Sequence, residues 1–213
     1  MKGRYNNPML AALFLSLLLS VPPLRCADPA PCTADFTAEM DEGDGLINFG
    51  KVSDELYRSG QPVHNREVDG YKRLQQLGIR TVIDLRTFSG MEPEIIRELN
   101  VLTPQLSKRI YYLHLSIDPF SSDVDYLNGR IDTLLTAIRN SPKPVLVHCK
   151  YGQERTAFVV ALYQMVACGF TYDQALKNME LCHYRPYLGG RHFTKFLEWW
   201  VRYRLPELRE KAK

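Results

Sequence analysis

The chain carries the stretch HCKYGQERT at residues 148–156, between two apolar runs. The run before it, residues 144–147, is typical of a buried strand, and the run after it, residues 157–162, is typical of the start of a buried helix. A tight loop from a strand into a helix directs backbone N–H groups and the positive end of the helix dipole at an anion. Residues 148–156 therefore predict an anion-binding loop between a sheet and a helix packed on it.

Two side chains of this loop favour phosphate chemistry. Cys149 is placed at the strand end, beneath the loop donors, where the thiolate is favoured over the thiol. Arg155 follows six residues later and can fold over the loop to hold two phosphate oxygens in its planar guanidinium. We therefore predict that residues 148–156 form a phosphate loop with a nucleophile at its floor.

The phosphate loop resembles the signature of the cysteine-dependent phosphatases of the protein-tyrosine and dual-specificity type: His-Cys, five residues, Arg, then Ser or Thr. The matching residues are His148, Cys149, Gly152, Arg155 and Thr156. That family usually has Gly after the Thr, where this chain has Ala157, a difference that concerns helix packing more than chemistry. The string YRSGQP at residues 57–62 also resembles the opening segment of small bacterial dual-specificity-like phosphatases. The resemblance covers roughly residues 46–204.

The resemblance and the chemistry assign a role to each loop residue. Cys149 would attack phosphorus as a thiolate, and Arg155 with the loop amides would stabilise the charge on the equatorial oxygens. Thr156 would donate a hydrogen bond to the sulfur and favour its departure in the second step, while His148 would support the loop from the strand end. The predicted phosphate-binding set is Lys150, Tyr151, Gly152, Gln153, Glu154 and Arg155. This scheme requires no metal and no other cofactor.

The acid that protonates the leaving oxygen must come from another segment. Asp118 is our prediction, because it follows a predicted strand on a loop, 31 residues before Cys149, as in the family. Asp123 and Asp125 are alternatives, although both also suit the start of a helix.

Lys150 is the residue that bears most on substrate choice. It resembles the His-Cys-Lys start of phosphatases of inositol phosphates, phosphoinositides and some atypical dual-specificity enzymes, and a second cation would favour a multiply phosphorylated ligand. Alternatively, Lys150 points to solvent. Three other expectations concern the surroundings of the loop. Arg86 either contacts substrate or pairs with a carboxylate. His114 is interpreted as a hydrogen-bonded structural residue. The pocket could also be bordered by further cations: Arg185, Arg191 and Lys195.

Strand-like and helix-like segments alternate along the chain, which predicts a single α/β domain at residues 46–213 with a mainly parallel sheet flanked by helices. Predicted strands are residues 47–52, 56–59, 79–85, 110–115 and 144–147. Predicted helices are residues 66–76 capped by Asn65, 91–99, 123–139 capped by Ser121-Ser122, 157–168, 171–182 and 191–204, the last with a core stripe of Phe193, Phe196, Leu197, Trp200 and Tyr203.

Composition excludes some function classes. The 213 residues, 45% of them hydrophobic, can bury one sizeable core. The net charge of +3 comes from segment 1–27, which has three basic residues and no acidic residue. Residues 28–213 are therefore formally neutral, and this balance does not predict nucleic-acid binding. The expected partner is a phosphorylated protein or a small polyanionic phosphate ester.

The N-terminus predicts export. Two basic residues precede the apolar run at residues 9–21, which is short against the roughly 20 residues of a membrane span, so residues 1–27 predict a secretory signal peptide and a periplasmic or secreted protein. Arg25 disrupts both an Ala-x-Ala cleavage site and a lipoprotein site, so a retained membrane anchor is the alternative. Residues 28–45 are interpreted as a tail or linker.

Among the five cysteines, Cys168 and Cys182 are interpreted as small buried hydrophobic residues rather than as a disulfide framework.

Two other functions are compatible with an anion loop that contains cysteine. One is an inactive phosphate-binding module of the same fold, which the presence of Cys149, Arg155 and Thr156 disfavours. The other is a rhodanese-like sulfurtransferase, which the longer loop and the acid on a separate loop disfavour.

Overall fold

A five-stranded sheet forms the centre of the computed structural model, which describes residues 45–63, 69–87, 110–184 and 191–211. The strands are β1 (Gly50–Lys51), β2 (Leu56–Ser59), β3 (Thr81–Asp84), β4 (Tyr111–His114) and β5 (Val145–His148). Their order across the sheet is β1-β2-β5-β3-β4, and only β1 runs antiparallel to its neighbour. The predicted mainly parallel sheet is confirmed.

Helices cover the sheet on both faces. In chain order the described helices are α1 (Gly70–Gln76), α2 (Val124–Asn140), α3 (Arg155–Ala167), α4 (Tyr172–Leu181), α5 (Arg191–Tyr203) and α6 (Leu205–Lys211). Helix α6 was not predicted. No helix in these described ranges is both long and apolar enough to cross a bilayer.

The alternation of side chains along each strand explains the two apolar clusters. Val145 and Val147 of β5 face the larger cluster, which includes residues of α2 to α6, whereas Leu146 faces a smaller cluster with Tyr71 and Leu74 of α1. A strand that is buried on both faces is uniformly apolar, as expected for parallel strands between helices. Helix α3 is buried from Arg155 to Met165, so it is the central helix of the larger cluster.

The helix starts differ in part from the predictions. Helix α1 begins at Gly70, where Asp69 accepts hydrogen bonds from the N–H groups of Tyr71 and Lys72; the predicted cap Asn65 lies outside the described residues. Helix α2 is capped by Asp123 rather than by Ser121-Ser122, because the Asp123 carboxylate accepts from two N–H groups of the first turn. The helix predicted at residues 91–99 also lies outside the described residues.

Two expectations about side chains were wrong. Tyr203 was placed in the core stripe of α5, but it is 54% exposed at the helix end, while Phe193, Phe196, Leu197 and Trp200 are buried. Cys168 and Cys182, which end α3 and α4, were interpreted as simple hydrophobic residues, but both are disulfide-bonded. Spacing along the chain could not reveal those bonds, because a disulfide depends on distance in the fold.

The parallel strands end level with one another. Ser59, His148, Asp84 and His114 are direct neighbours across β2, β5, β3 and β4. Ligand sites in open parallel sheets lie outside this carboxyl edge. The register therefore places the phosphate loop, which follows β5, beside the ends of β2 and β3.

Candidate active site

The phosphate loop connects the carboxyl end of β5 to the first turn of α3. The N-cap residue of α3, Glu154, makes no side-chain capping hydrogen bond, and the first turn of this helix contains no acidic residue. The positive end of the helix dipole therefore faces the loop. The loop thus has the strand-to-helix geometry that the sequence predicts for an anion-binding loop.

Cys149 lies at the floor of the loop as a free thiol that is 3% exposed. Burial alone would raise its pKa, but the Arg155 guanidinium, the side chain and N–H of Thr156 and the N–H of Gly152 together lower the pKa below its ordinary value. A lowered pKa favours the thiolate, which is the nucleophilic form.

Arg155 and Thr156 approach the sulfur from the start of α3. The Arg155 guanidinium is 9% exposed, and its Nη1 donates to the carbonyl of Leu85 at 3.4 Å, which ties it to the end of β3. The Thr156 hydroxyl is buried, and its interaction with the sulfur lowers the Cys149 pKa. The sulfur thus faces one cation and one hydroxyl from the same helix turn.

A buried polar cluster supports the loop from the ends of the strands. Both carboxylate oxygens of Asp84 accept from Arg86, and Oδ2 also accepts from the Tyr112 hydroxyl at 2.6 Å. His148 Nδ1 lies 4.0 Å from Asp84 Oδ1, and His114 Nε2 lies 2.6 Å from the Arg86 carbonyl. Arg86 is fully buried and pairs with Asp84, which is one of the two roles that the sequence left open for it.

The candidate acid Asp118 lies on the exposed loop after β4. Its Oδ1 accepts from the N–H of Phe120 at 2.9 Å, and its own N–H donates to the Tyr126 hydroxyl at 3.0 Å. Asp123 instead has its carboxylate engaged as the cap of α2, and Asp125 lies in the first helical turn. The structure thus gives the two alternatives helix-start positions.

His192, in the first turn of α5, lies within the electrostatic reach of Asp118. Burial lowers the His192 pKa, and the nearby negative charge of Asp118 opposes that shift. Its Nε2 is buried, and no group in the described part of the chain forms a hydrogen bond with it. The sequence analysis gave His192 no role, because a single histidine in a helix offers no pattern that points to a distant loop.

Two of the other predicted cations, Lys150 and Lys195, have side chains that the structure describes. Lys150 is partly buried, and its ammonium lies 5.7 Å from the ring centre of Tyr151, which is 52% exposed. Lys195 is exposed on α5. Arg185 and the Arg191 side chain lie outside the described part of the chain.

Arg58 is a second residue that the sequence analysis missed. It lies in the string YRSGQP, which was recognised only as a resemblance. The side chain is buried behind the phosphate loop and donates to the carbonyl of Gly152. Only the parallel pairing of β2 with β5 brings these distant residues together.

Comparisons with known proteins show the family and the fold of the chain. A family model described as "Tyrosine phosphatase family" matches residues 50–181. The chain is 29% identical over 177 residues to the dual specificity protein phosphatase TpbA of Pseudomonas aeruginosa, covering 81% of this chain and 70% of that protein. It is 30% identical over 151 residues to the inositol diphosphatase DSP5 of Arabidopsis thaliana, covering 67% of each. The crystal structure of P. aeruginosa TpbA superposes with a TM-score of 0.56 at 23% identity, covering 78% of this chain and 91% of that one.

Proposed function

The chain belongs to the tyrosine phosphatase family and is a phosphatase, and from this premise we propose that it acts through a cysteinyl-phosphate on Cys149. The observation that carries this proposal is the Cys149 thiol, buried at the N-terminus of α3 and with its pKa lowered by Arg155, Thr156 and Gly152 despite burial. A thiolate under a helix N-terminus and an arginine fork is placed for in-line attack on a bound phosphate.

In the first step the Cys149 sulfur forms a bond to phosphorus while the bond between phosphorus and the ester oxygen breaks. Asp118 gives its proton to that oxygen, so the alcohol or phenol leaves neutral. Arg155 and the loop amides bind the three equatorial oxygens, where charge spreads in the transition state.

In the second step a water molecule attacks phosphorus and passes a proton to the Asp118 carboxylate. The bond between phosphorus and sulfur breaks, which releases inorganic phosphate and restores the thiolate. Thr156 stabilises the departing sulfur, because its hydroxyl lies beside the sulfur and lowers its pKa.

The proposed substrates are phosphorylated proteins, including phosphotyrosine. The similarity to a dual specificity protein phosphatase supports this class. The exposed aromatic side chains of Tyr151 in the loop and Phe120 beside Asp118 support it further, since they offer apolar surface to a phenyl ester or to a peptide around it.

The mechanism is tested with a chromogenic aryl phosphate and vanadate. We expect vanadate-sensitive hydrolysis in the wild-type protein and none in Cys149→Ser, with unchanged circular dichroism. Undiminished hydrolysis by Cys149→Ser would refute the mechanism. A folded wild-type protein that binds vanadate but hydrolyses no ester would indicate the inactive binding module, and a cyanide–thiosulfate assay tests for sulfurtransferase activity.

A second candidate is hydrolysis of inositol polyphosphates or phosphoinositides. Lys150 supports it, because this cation lies inside the phosphate loop directly after Cys149 in sequence, and one relative is an inositol diphosphatase. A panel of phosphotyrosine peptide, phosphoserine peptide, inositol hexakisphosphate and phosphoinositides would compare wild type with Lys150→Ala. Unchanged activity of Lys150→Ala on every polyanionic substrate would remove the main support for this candidate.

We further propose that the protein is exported, with residues 1–27 as its signal peptide or as a retained anchor. The apolar run at residues 9–21 and the disulfide-bonded Cys168 and Cys182 support export, since structural disulfides persist in oxidising compartments. Cell fractionation followed by peptide mapping of the purified protein would test it. A cytosolic protein with Cys168 and Cys182 reduced would contradict the proposal.

A further inference from the structure

Arg58 of β2 is a cation enclosed by the protein. Arg58 is 1% exposed and its Nη2 donates to the carbonyl of Gly152, while Nε and Nη1 have no hydrogen-bond partner among the residues that the structure describes. Within the described ranges no carboxylate pairs with this guanidinium. Burying a cation costs free energy unless an anion faces it, so the position of Arg58 behind the phosphate loop requires an explanation.

The carbonyl that Arg58 holds belongs to a series of three. The carbonyl of Lys150 accepts from the N–H of Gln61 at 2.9 Å, and the carbonyl of Tyr151 lies 3.4 Å from Asn48 Nδ2. Gly152, the third, accepts from Arg58. The segment around β1 and β2 therefore holds three consecutive loop carbonyls on the outside of the loop.

The opposite side of the loop faces the sulfur. The N–H of Gly152 is directed at Cys149 and lowers the pKa of that thiol, while the carbonyl of the same residue is bound by Arg58. A peptide group joins the carbonyl of one residue to the N–H of the next, so a carbonyl held outward directs the following N–H inward. The Tyr151 carbonyl beside Asn48 thus orients the Gly152 N–H, and the Gly152 carbonyl bound by Arg58 orients the N–H of Gln153. Converging N–H groups of this kind bind an anion.

Arg58 also acts on Cys149 by its charge. Burial lowers the Arg58 pKa to about 10, and the negative Cys149 opposes that shift, so the guanidinium is still charged at neutral pH. Two arginines therefore interact with Cys149 by charge: Arg155 of α3 lowers the Cys149 pKa, and the negative Cys149 raises the pKa of Arg58 of β2. They approach from different elements, and Arg155 is the one placed to bind substrate.

We propose that Arg58 is a positioning residue that holds the Gly152 carbonyl outward and stabilises the Cys149 thiolate from behind the loop. This inference rests on the proposed function, in which Cys149 attacks as a thiolate. Arg58 itself touches neither the substrate nor the reacting atoms.

The test is the pH dependence of Cys149 alkylation by iodoacetamide, measured on the full chain by loss of aryl phosphatase activity. Wild type, Arg58→Met, Arg58→Lys and Lys51→Met would be compared. In Arg58→Met the alkylation midpoint should rise by about one pH unit or more, the usual effect of removing a nearby opposite charge. Arg58→Lys keeps the charge, so its alkylation midpoint should stay close to that of the wild type. Lys51, on β1 with its ammonium exposed, is the matched control and should leave the midpoint unchanged.

The outcomes separate this proposal from the proposed function. If the wild-type midpoint is that of an ordinary thiol and Cys149→Ser stays active, the proposed function fails. If the alkylation midpoint of the wild type lies below that of an ordinary thiol but a folded Arg58→Met variant has the same midpoint, only the role of Arg58 fails. Equal shifts in Arg58→Met and Arg58→Lys would also overturn the charge effect. Should Arg58→Met fail to fold, Arg58→Gln provides the same comparison, since it keeps a donor for Gly152 without the charge.

Discussion

At the scale of single residues, two aspartates near the start of α2 have different structural positions. Asp118 accepts one hydrogen bond, from the N–H of Phe120, and lies on an exposed loop within the electrostatic reach of His192. Asp123 accepts two hydrogen bonds from the first turn of α2. A carboxyl that must bind and release a proton fits the first environment, whereas a helix cap fits the second.

Asp118→Asn should reduce the hydrolysis of esters in proportion to how poor the leaving group is. For an alkyl phosphate we expect kcat/KM to fall by about 10²–10⁴-fold, the usual contribution of general acid catalysis. For p-nitrophenyl phosphate the loss should be much smaller, because that phenolate leaves without protonation. A series of aryl and alkyl phosphates measures this dependence.

Asp123→Asn is the matched control for Asp118→Asn. Asparagine also caps helices well, so this variant should change stability by well under about 1 kcal/mol and show no dependence on the leaving group. The assignment of Asp118 would be wrong if Asp123→Asn, rather than Asp118→Asn, showed the dependence.

At the scale of elements, the phosphate loop and strand β2 pack backbone against backbone. Gly152 has φ of +70°, and a Cβ there would lie 2.6 Å from Gly60 N and 2.7 Å from the Ser59 carbonyl carbon. Backbone atoms cannot rotate away as a side chain can, so the loop and strand can approach this closely only with glycine at this position.

Gly152→Ala should therefore displace the loop and inactivate the enzyme. We expect kcat/KM to fall by about 100-fold or more, the effect of a misplacement near 1 Å, with weaker vanadate inhibition. Gly169→Ala is the control, since it has φ of +71° but nothing within 4 Å of a Cβ. That variant should cost about 1–2 kcal/mol in unfolding free energy and keep its activity. Equal activity losses in both variants would show that backbone strain, rather than the contact with β2, matters at Gly152.

At the scale of the whole molecule, the buried cluster around Asp84 joins three strands. Asp84 of β3 pairs with Arg86, accepts from Tyr112 of β4 and lies near His148 of β5. Burial alone would raise the Asp84 pKa, but His148, Arg86 and Tyr112 lower it to about 2. The cluster therefore links sheet stability to the charge of one carboxylate.

The sign of the linkage predicts how acid affects folding. Because the Asp84 pKa is lower in the folded protein than in the unfolded chain, its stabilisation is complete above about pH 5 and is lost as pH falls towards about 2. Asp84→Asn should lower the unfolding free energy at pH 7 by about 3–5 kcal/mol, since Arg86 loses its carboxylate. The deficit relative to wild type should shrink as pH falls below about 4, measured by urea unfolding.

Asp132→Asn provides the control for Asp84→Asn, because the Asp132–Arg204 pair is partly exposed. It should cost no more than about 1 kcal/mol. A wild-type protein and an Asp84→Asn variant with parallel pH profiles of stability would contradict the role assigned to Asp84.

Much of this fold follows from local patterns. The segment at residues 56–59 matched β2, and the helix predicted at residues 171–182 matches α4, which Thr171 caps. The order of the strands and the partners of Arg58, Asp84 and His192 were not predictable, because each depends on contacts between segments far apart in sequence. The disulfide bonds of Cys168 and Cys182 escaped prediction for the same reason.

The positive groups around Cys149 have a consequence for the protein between turnovers. Arg58, Arg155 and the start of α3 surround one sulfur, so the charge there is balanced best when an oxyanion is also bound. An anion that binds only the native state stabilises the fold by mass action. At an anion concentration one hundred times its dissociation constant, the unfolding free energy rises by about 2.7 kcal/mol. Inorganic phosphate, the product, should therefore raise the melting temperature while it inhibits the enzyme.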